Sequence, residues 1–198
     1  MWRRFGHCGV PMSDRVRLRP AYSPDELARI YATPHDHTQW QDHLARVVMT
    51  AQFVRSAAGA IRGDAADLSC GDGAILKSVD VEGVRLFGDY APGHEFTGPI
   101  EETIDQIPGV DLFVCTETLE HLDDPDLVLK QIRGKARFLA LSTPIGAWGD
   151  TNPEHYHAWS RAGVEDILNA TGFSPHAFME LDYRPAGGAY SYGCWVAR

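Results

Sequence analysis

The stretch Ala65-Ala66-Asp67-Leu68-Ser69-Cys70-Gly71-Asp72-Gly73-Ala74-Ile75-Leu76 decides the reading of this chain. A short apolar run enters, Asp67 sits near its end, and Ser69, Gly71 and Gly73 follow at alternate positions. From Ala74 to Lys77 the residues are helix formers without another glycine. The pattern predicts a strand, a tight turn of small residues and the start of a helix. Glycines in such a turn let the backbone approach a ligand closely, and the helix start presents N–H groups that lack intrahelical partners. A dinucleotide fingerprint would place a third glycine three residues after the second, where this chain has Leu76. A nicotinamide-dependent oxidoreductase is therefore the weaker reading of the loop.

The next segments repeat the strand–turn–helix theme. Val84 to Tyr90 alternates in apolar character and ends on Asp89, 18 residues after Gly71. That is near the spacing at which the second strand of a βαβ unit presents a carboxylate to a ribose. Glu95 to Ile104 should hold the third strand and its loop. Val110 to Glu117 is apolar on successive residues, as a parallel strand buried on both faces is. Arg137 to Gly146 reads as a further buried strand. Three strand ends, at Asp67–Gly73, Asp89–Tyr90 and Thr116–Glu117, then converge on one crevice at the carboxyl edge of a doubly wound sheet.

The small-x-Gly-x-Gly spacing with an acid two residues upstream resembles motif I of class I S-adenosylmethionine-dependent methyltransferases. Ser69 stands where that family usually has glycine. The string Glu117-Thr-Leu-Glu120-His121-Leu-Asp-Asp-Pro125 resembles motif IV of the family's small-molecule branch, which includes quinone and sugar methylators. The resemblance covers residues 65 to 173. It implies an α/β fold: a doubly wound, mostly parallel, seven-stranded Rossmann-like sheet with N-terminal helices. It implies S-adenosyl-L-methionine as cofactor and a small-molecule methyl acceptor. The cofactor contacts it implies are Asp67, Ser69, Cys70, Gly71, Gly73, Asp89, Tyr90, Thr116 and Glu117. Family members commonly place an aspartate just after a glycine to meet adenine, whereas Pro99 follows Gly98 here. Adenine recognition then passes to the Ile100 backbone or to Glu101.

Outside the motifs, Ser23-Pro24-Asp25-Glu26 opens a helix that Pro34 stops, and a second helix is predicted from about Thr38 to Ala58. His35, His37 and His43 stand between and within them, but no Cys or Glu completes a ligand set, so no metal is assigned. Trp148 to Ser160 is polar, aromatic and too rich in turn residues for regular structure. Ser160 caps a helix ending at Gly172, and Phe178–Tyr183 with Ser191–Val196 form an edge pair. Methyl transfer from a sulfonium displaces an already activated carbon, so the protein mainly aligns the reactants and sometimes removes a proton. His121, His155 and His157 are the candidate bases, each equally able to serve as a pocket hydrogen-bonding group, and His121 equally able to pack at a helix start. Acceptor specificity is expected from the Tyr31–Trp40 and Trp148–Trp159 segments.

With 198 residues, 44% of them hydrophobic, the chain suits one α/β domain. Residues 1–20, with arginines at 3, 4, 15, 17 and 19, read as a flexible basic arm, and 21–198 as the domain, with 21–62 its helical cap. The net charge is −9, and Glu101–Asp126 holds nine acids and no Lys or Arg. Such a surface argues against a nucleic-acid partner. No apolar run approaches the roughly 20 residues that span a bilayer. The N-terminus lacks the apolar region of a secretory signal, and the four cysteines have no paired spacing, so cytoplasmic residence is expected. A binding or activator module without turnover is the alternative from another functional class.

Overall fold

The computed structural model describes residues 14–39 and 42–198. In chain order the elements are β1 (Arg15–Arg17), α1 (Pro24–Ile30), α2 (His43–Ala58), β2 (Ala65–Asp67), α3 (Ala74–Ser78), β3 (Arg85–Asp89) and β4 (Phe96–Thr97). Then follow α4 (Ile100–Thr103), β5 (Val110–Thr116), α5 (Pro125–Lys135), β6 (Ala136–Ile145), β7 (His157–Trp159), α6 (Arg161–Ala170), β8 (Pro175–Asp182) and β9 (Ser191–Ala197).

The seven expected strands lie in the order β4-β3-β2-β5-β6-β9-β8, parallel except for β9. Two more among the described residues bring the sheet to nine. Strand β5 leaves the edge of β6 at Thr116↔Ser142, and β7 takes up β6 farther along, at Ile145↔Trp159. Strand β1 then pairs antiparallel with β7. The ribbon of β1 and β7 thus continues the sheet beside β6, beyond the end of β5.

The buried strands are apolar on successive residues because both faces are covered. Phe113 and Cys115 of β5 join the core formed with Val128, Leu129 and Ile132 of α5 and Val164 and Leu168 of α6. Leu112 and Val114, pointing the other way, meet Ala51 and Val54 of α2 and Leu76 of α3. Leu139 and Leu141 alternate with Ala140 in the same manner. Caps fix the helix starts: the Glu26 carboxylate accepts from the Ser23 N–H at 2.8 Å, Asp124 from Leu127 N–H at 3.0 Å, and Ser160 from Gly163 N–H at 3.0 Å.

Three expectations change. The second helix begins at His43 rather than Thr38, because His37–Gln39 forms a separate 3-10 turn; Trp40 lies outside the described residues. His157–Trp159 is strand, not irregular loop: Leu18 N–H and Ser160 N–H bond Tyr156 O and Asp14 O at 2.8 and 2.9 Å, extending the pairing at both ends of the ribbon. The described end of the expected basic arm carries β1. Arg15 lies 4.7 Å over the Trp159 ring and pairs with Asp126, Arg17 pairs with Asp123, and Arg19 donates to the carbonyls of Asp150 and Asn152. Arg15 and Arg17 thus meet the acidic end of the Glu101–Asp126 stretch within the chain. Residues 1–13 of the expected arm lie outside the described residues.

Candidate active site

A cavity of about 650 Å³ lies over the carboxyl ends of β2, β3 and β5, beneath α1 and the following loop. Of the residues singled out from sequence, Ser69, Gly71, Asp89, Tyr90, Ile100, Glu101, Glu117 and His121 line it. Asp67, Thr116, Cys70 and Gly73 do not reach its wall. Asp67 and Thr116 are buried beneath it, and Cys70 and Gly73 belong to the turn that shapes it.

The turn after β2 is built around two glycines. Gly71 and Gly73 have φ of 54° and 71°, in the left-handed region that a β-carbon disfavours. A β-carbon on Gly71 would fall 2.4 Å from Nε2 of His37, so the missing side chain admits an imidazole against the backbone. Asp89 clamps the turn from the neighbouring strand: one carboxylate oxygen accepts from Gly71 N–H at 2.8 Å, the other from Ala91 N–H at 2.9 Å. Beneath, Asp67 accepts from Ser69 N–H at 3.2 Å, and burial pushes its carboxyl up to about 8. Helix α3 has only five residues, and Asp72 already accepts from its Ala74 N–H at 2.8 Å, so its N-terminus offers less than the sequence suggests.

At the end of β5, Glu117 has φ of 53° and is the only non-glycine with positive φ among the described residues. Its carboxylate accepts from Ser142 Oγ at 2.5 Å and faces Arg46 of α2 at 3.5 Å. Burial pushes Glu117 up to about 7, against the pull of Arg46. A strained residue held by two side chains in the lining of a cavity fits a functional position.

The outer wall comes from the N-terminal segment. Tyr31 is stacked 5.5 Å from His35 and tilted against Tyr90 at 5.2 Å, and its hydroxyl donates to Glu154 at 2.9 Å. Tyr156 also lines the cavity, its hydroxyl accepting from Tyr22 N–H at 3.2 Å. Both aromatic segments expected to shape the pocket therefore contribute to it, while Trp159, from the same second segment, is fully buried in the core.

The three candidate bases separate. His121 reaches the cavity, but burial, reinforced by His155, pushes its imidazole down to about 3, making it a neutral ring and a poor proton acceptor. His155 is buried behind it, with Nδ1 2.6 Å from Asp150. His157 is buried against Trp159, ring centroids 5.5 Å apart, and does not line the cavity. Sequence reasoning missed His94, whose Nε2 lies 2.8 Å from Gly71 O, and also Arg46 and Asp150. No local pattern marks these residues; each matters through a partner distant in the chain.

No family model and no curated protein sequence matches the chain. Solved structures do. A Burkholderia thailandensis 1,6-didemethyltoxoflavin-N1-methyltransferase, with 1,6-didemethyltoxoflavin and S-adenosylhomocysteine bound, superposes with a TM-score of 0.66 at 16% identity, over 91% of this chain and 92% of that one. A Leishmania major SAM-dependent methyltransferase gives 0.67 at 15% identity, over 87% and 80%. The [4+2]-cyclase SpnF gives 0.60 at 12% identity, over 91% and 97%. The chain has the Rossmann-like fold of these methyltransferases, and at such identities the likeness establishes the fold. The cyclase shares that fold, so the reaction must be argued from the site.

Proposed function

We propose that the protein is a methyltransferase that uses S-adenosyl-L-methionine to methylate a small molecule. The observation that carries this reading is the cavity itself, in which the Gly71 turn, the Asp89 carboxylate and the Glu117 end of β5 face one space. Its volume, about 650 Å³, suits a nucleoside-sized cofactor with a modest acceptor beside it. The two small-residue positions and the carboxylate are what an adenosyl ribose needs, and the Ile100–Glu101 wall is left for the base. Tyr31, His35 and Tyr156 add aromatic surface to the lining, which helps to exclude water from an alkylating centre. The similar Burkholderia structure has 1,6-didemethyltoxoflavin and S-adenosylhomocysteine bound, which supports this reading. The net charge of −9 supports a small-molecule acceptor over a polyanion, and among the described residues no helix is long and apolar enough to cross a membrane.

The test is ligand-induced stabilisation followed by label transfer. S-adenosylhomocysteine should raise the melting temperature and NAD should not, and methyl-labelled S-adenosylmethionine should label an acceptor from a small-molecule panel. No shift with S-adenosylhomocysteine, or an equal one with NAD, overturns the proposal. Cofactor binding without label transfer to any acceptor favours the binding-module alternative.

A further inference from the structure

Behind the wall of the cavity, three metal-ligating side chains converge from two separate segments. Glu120 and His121 sit on the single 3-10 turn Leu119–His121 that follows β5. His155 comes from the loop before β7, which is tied to that turn by the Tyr156 N–H bond to Glu120 O at 2.7 Å. One ligand atom from each residue lies within 4.8 Å of the others. The His121 and His155 rings stand perpendicular, their centroids 4.7 Å apart.

We propose that Glu120, His121 and His155 bind a divalent transition-metal cation at the inner wall of the cavity. Two further observations point to a ligand there. His121 Nδ1 is buried without a hydrogen-bond partner, and a neutral imidazole nitrogen left so is either a loss of stability or a ligand awaiting its cation. His155 is meanwhile oriented as a metal-binding histidine is. Its Nδ1 faces Asp150 Oδ2 at 2.6 Å, which leaves Nε2 as the acceptor nitrogen. Asp150 is fixed in turn by Tyr190 Oη at 3.0 Å and Asn152 N–H at 2.8 Å on its other oxygen. Glu120 is held by Thr143 Oγ1 at 2.8 Å, so all three groups are positioned before any cation arrives. Ligands on one tetrahedral cation at about 2.1 Å stand about 3.4 Å apart, within reach of small ring rotations from this arrangement. Two imidazoles and one carboxylate suit zinc, iron(II), manganese or cobalt better than magnesium, and three protein ligands leave coordination positions open.

The consequence for chemistry rests on the methyltransferase reading. His121 lines the cavity, so the open positions face the space beside the methyl donor. An acceptor hydroxyl bound there would lose its proton to solvent more readily. Its oxygen would attack the methyl carbon as the carbon–sulfur bond breaks, with the electron pair remaining on sulfur as a neutral thioether. The acceptor class this favours is an alcohol or phenol.

Cobalt(II) titration of the metal-stripped protein, followed by visible absorption, tests the site directly. One saturable, zinc-displaceable equivalent per chain is expected, with magnesium a poor competitor. Affinity should fall at least tenfold in His121→Ala, in His155→Ala and in the near-isosteric Glu120→Gln. It should fall about 10–100-fold in Asp150→Asn, which removes no ligand. His37→Ala, which breaks the other histidine group, should leave it unchanged. Absence of stoichiometric binding, equal affinity in Glu120→Gln, or loss in His37→Ala instead would overturn the proposal. Melting shifts with S-adenosylhomocysteine on the same samples separate the two readings. A cofactor shift without cobalt binding sinks the metal site alone, and cobalt binding without a cofactor shift sinks the methyltransferase reading alone.

Discussion

The Ser69 and Thr118 hydroxyls lie 2.7 Å apart, joining the turn after β2 to the turn after β5. Thr118 Oγ1 also bonds Thr116 O at 3.1 Å, so the pair ties two strand ends together at the cavity floor. A glycine at 69, as the resembled family usually has, could not make this link. Ser69→Ala should cost about 0.5–1.5 kcal/mol of stability, and a double-mutant cycle with Thr118→Val should show coupling of about 1 kcal/mol. Additive effects in denaturant unfolding would show that the hydroxyls do not interact.

Asp89 carries a sharper expectation. Its carboxylate already orders the Gly71 turn through two backbone bonds, and it lines the cavity where a ribose would lie. Asp89→Ala should weaken S-adenosylhomocysteine binding by about 1.5–3 kcal/mol, read by calorimetry on folded protein. An unchanged dissociation constant would make Asp89 a turn residue only.

Gly71→Ala tests the close approach of His37. The substitution forces a β-carbon into a left-handed position and to 2.4 Å from the imidazole. Its cost should be about 1–3 kcal/mol, and Gly71→Ala combined with His37→Ala should recover the part due to the clash. Failure of the second change to recover any stability would place the whole cost in the backbone.

The pH dependence of stability should carry the signature of Asp67. Its folded carboxyl is raised to about 8 by burial, so the folded state holds a proton that the unfolded chain releases near its ordinary value of about 4. The stability this proton contributes is complete below about pH 4 and is lost as pH rises toward 8. Asp67→Asn keeps the shape and removes the ionisation. The melting temperature of the variant relative to the parent should therefore rise steadily from pH 5 to pH 8.5. A difference independent of pH would show that Asp67 is ionised in the folded protein.

Tyr156 separates acceptor binding from cofactor binding. It lines the cavity and is bonded to the N-terminal segment through Tyr22 N–H. Tyr156→Ala should raise the acceptor KM while leaving S-adenosylhomocysteine affinity within about threefold, because its side chain is tied to Tyr22 rather than to the Gly71 turn or Asp89. His157→Ala should instead lower stability and keep specific activity per folded molecule, since that ring is buried against Trp159.

Much of this was legible in the chain because it is written in consecutive residues. The strand–turn–helix at Ala65–Ser78, the caps at Ser23 and Ser160, and the double-faced apolar run of β5 depend on spacing, backbone freedom and local hydrogen bonds. Parallel order and the convergence of strand ends then follow from the few connections that chain geometry allows. Tertiary structure alone decided the rest. Arg15 and Arg17 leave the expected basic arm for a strand because their partners, β7 and the acids at 123 and 126, lie more than a hundred residues away. That pairing turns His157 toward Trp159, while Asp150 holds His155 beside His121 and Glu120. Residue type set which groups could bind a proton or a metal. Which of them meet was settled by burial and by hydrogen bonds between segments far apart in the chain, which no local spacing records.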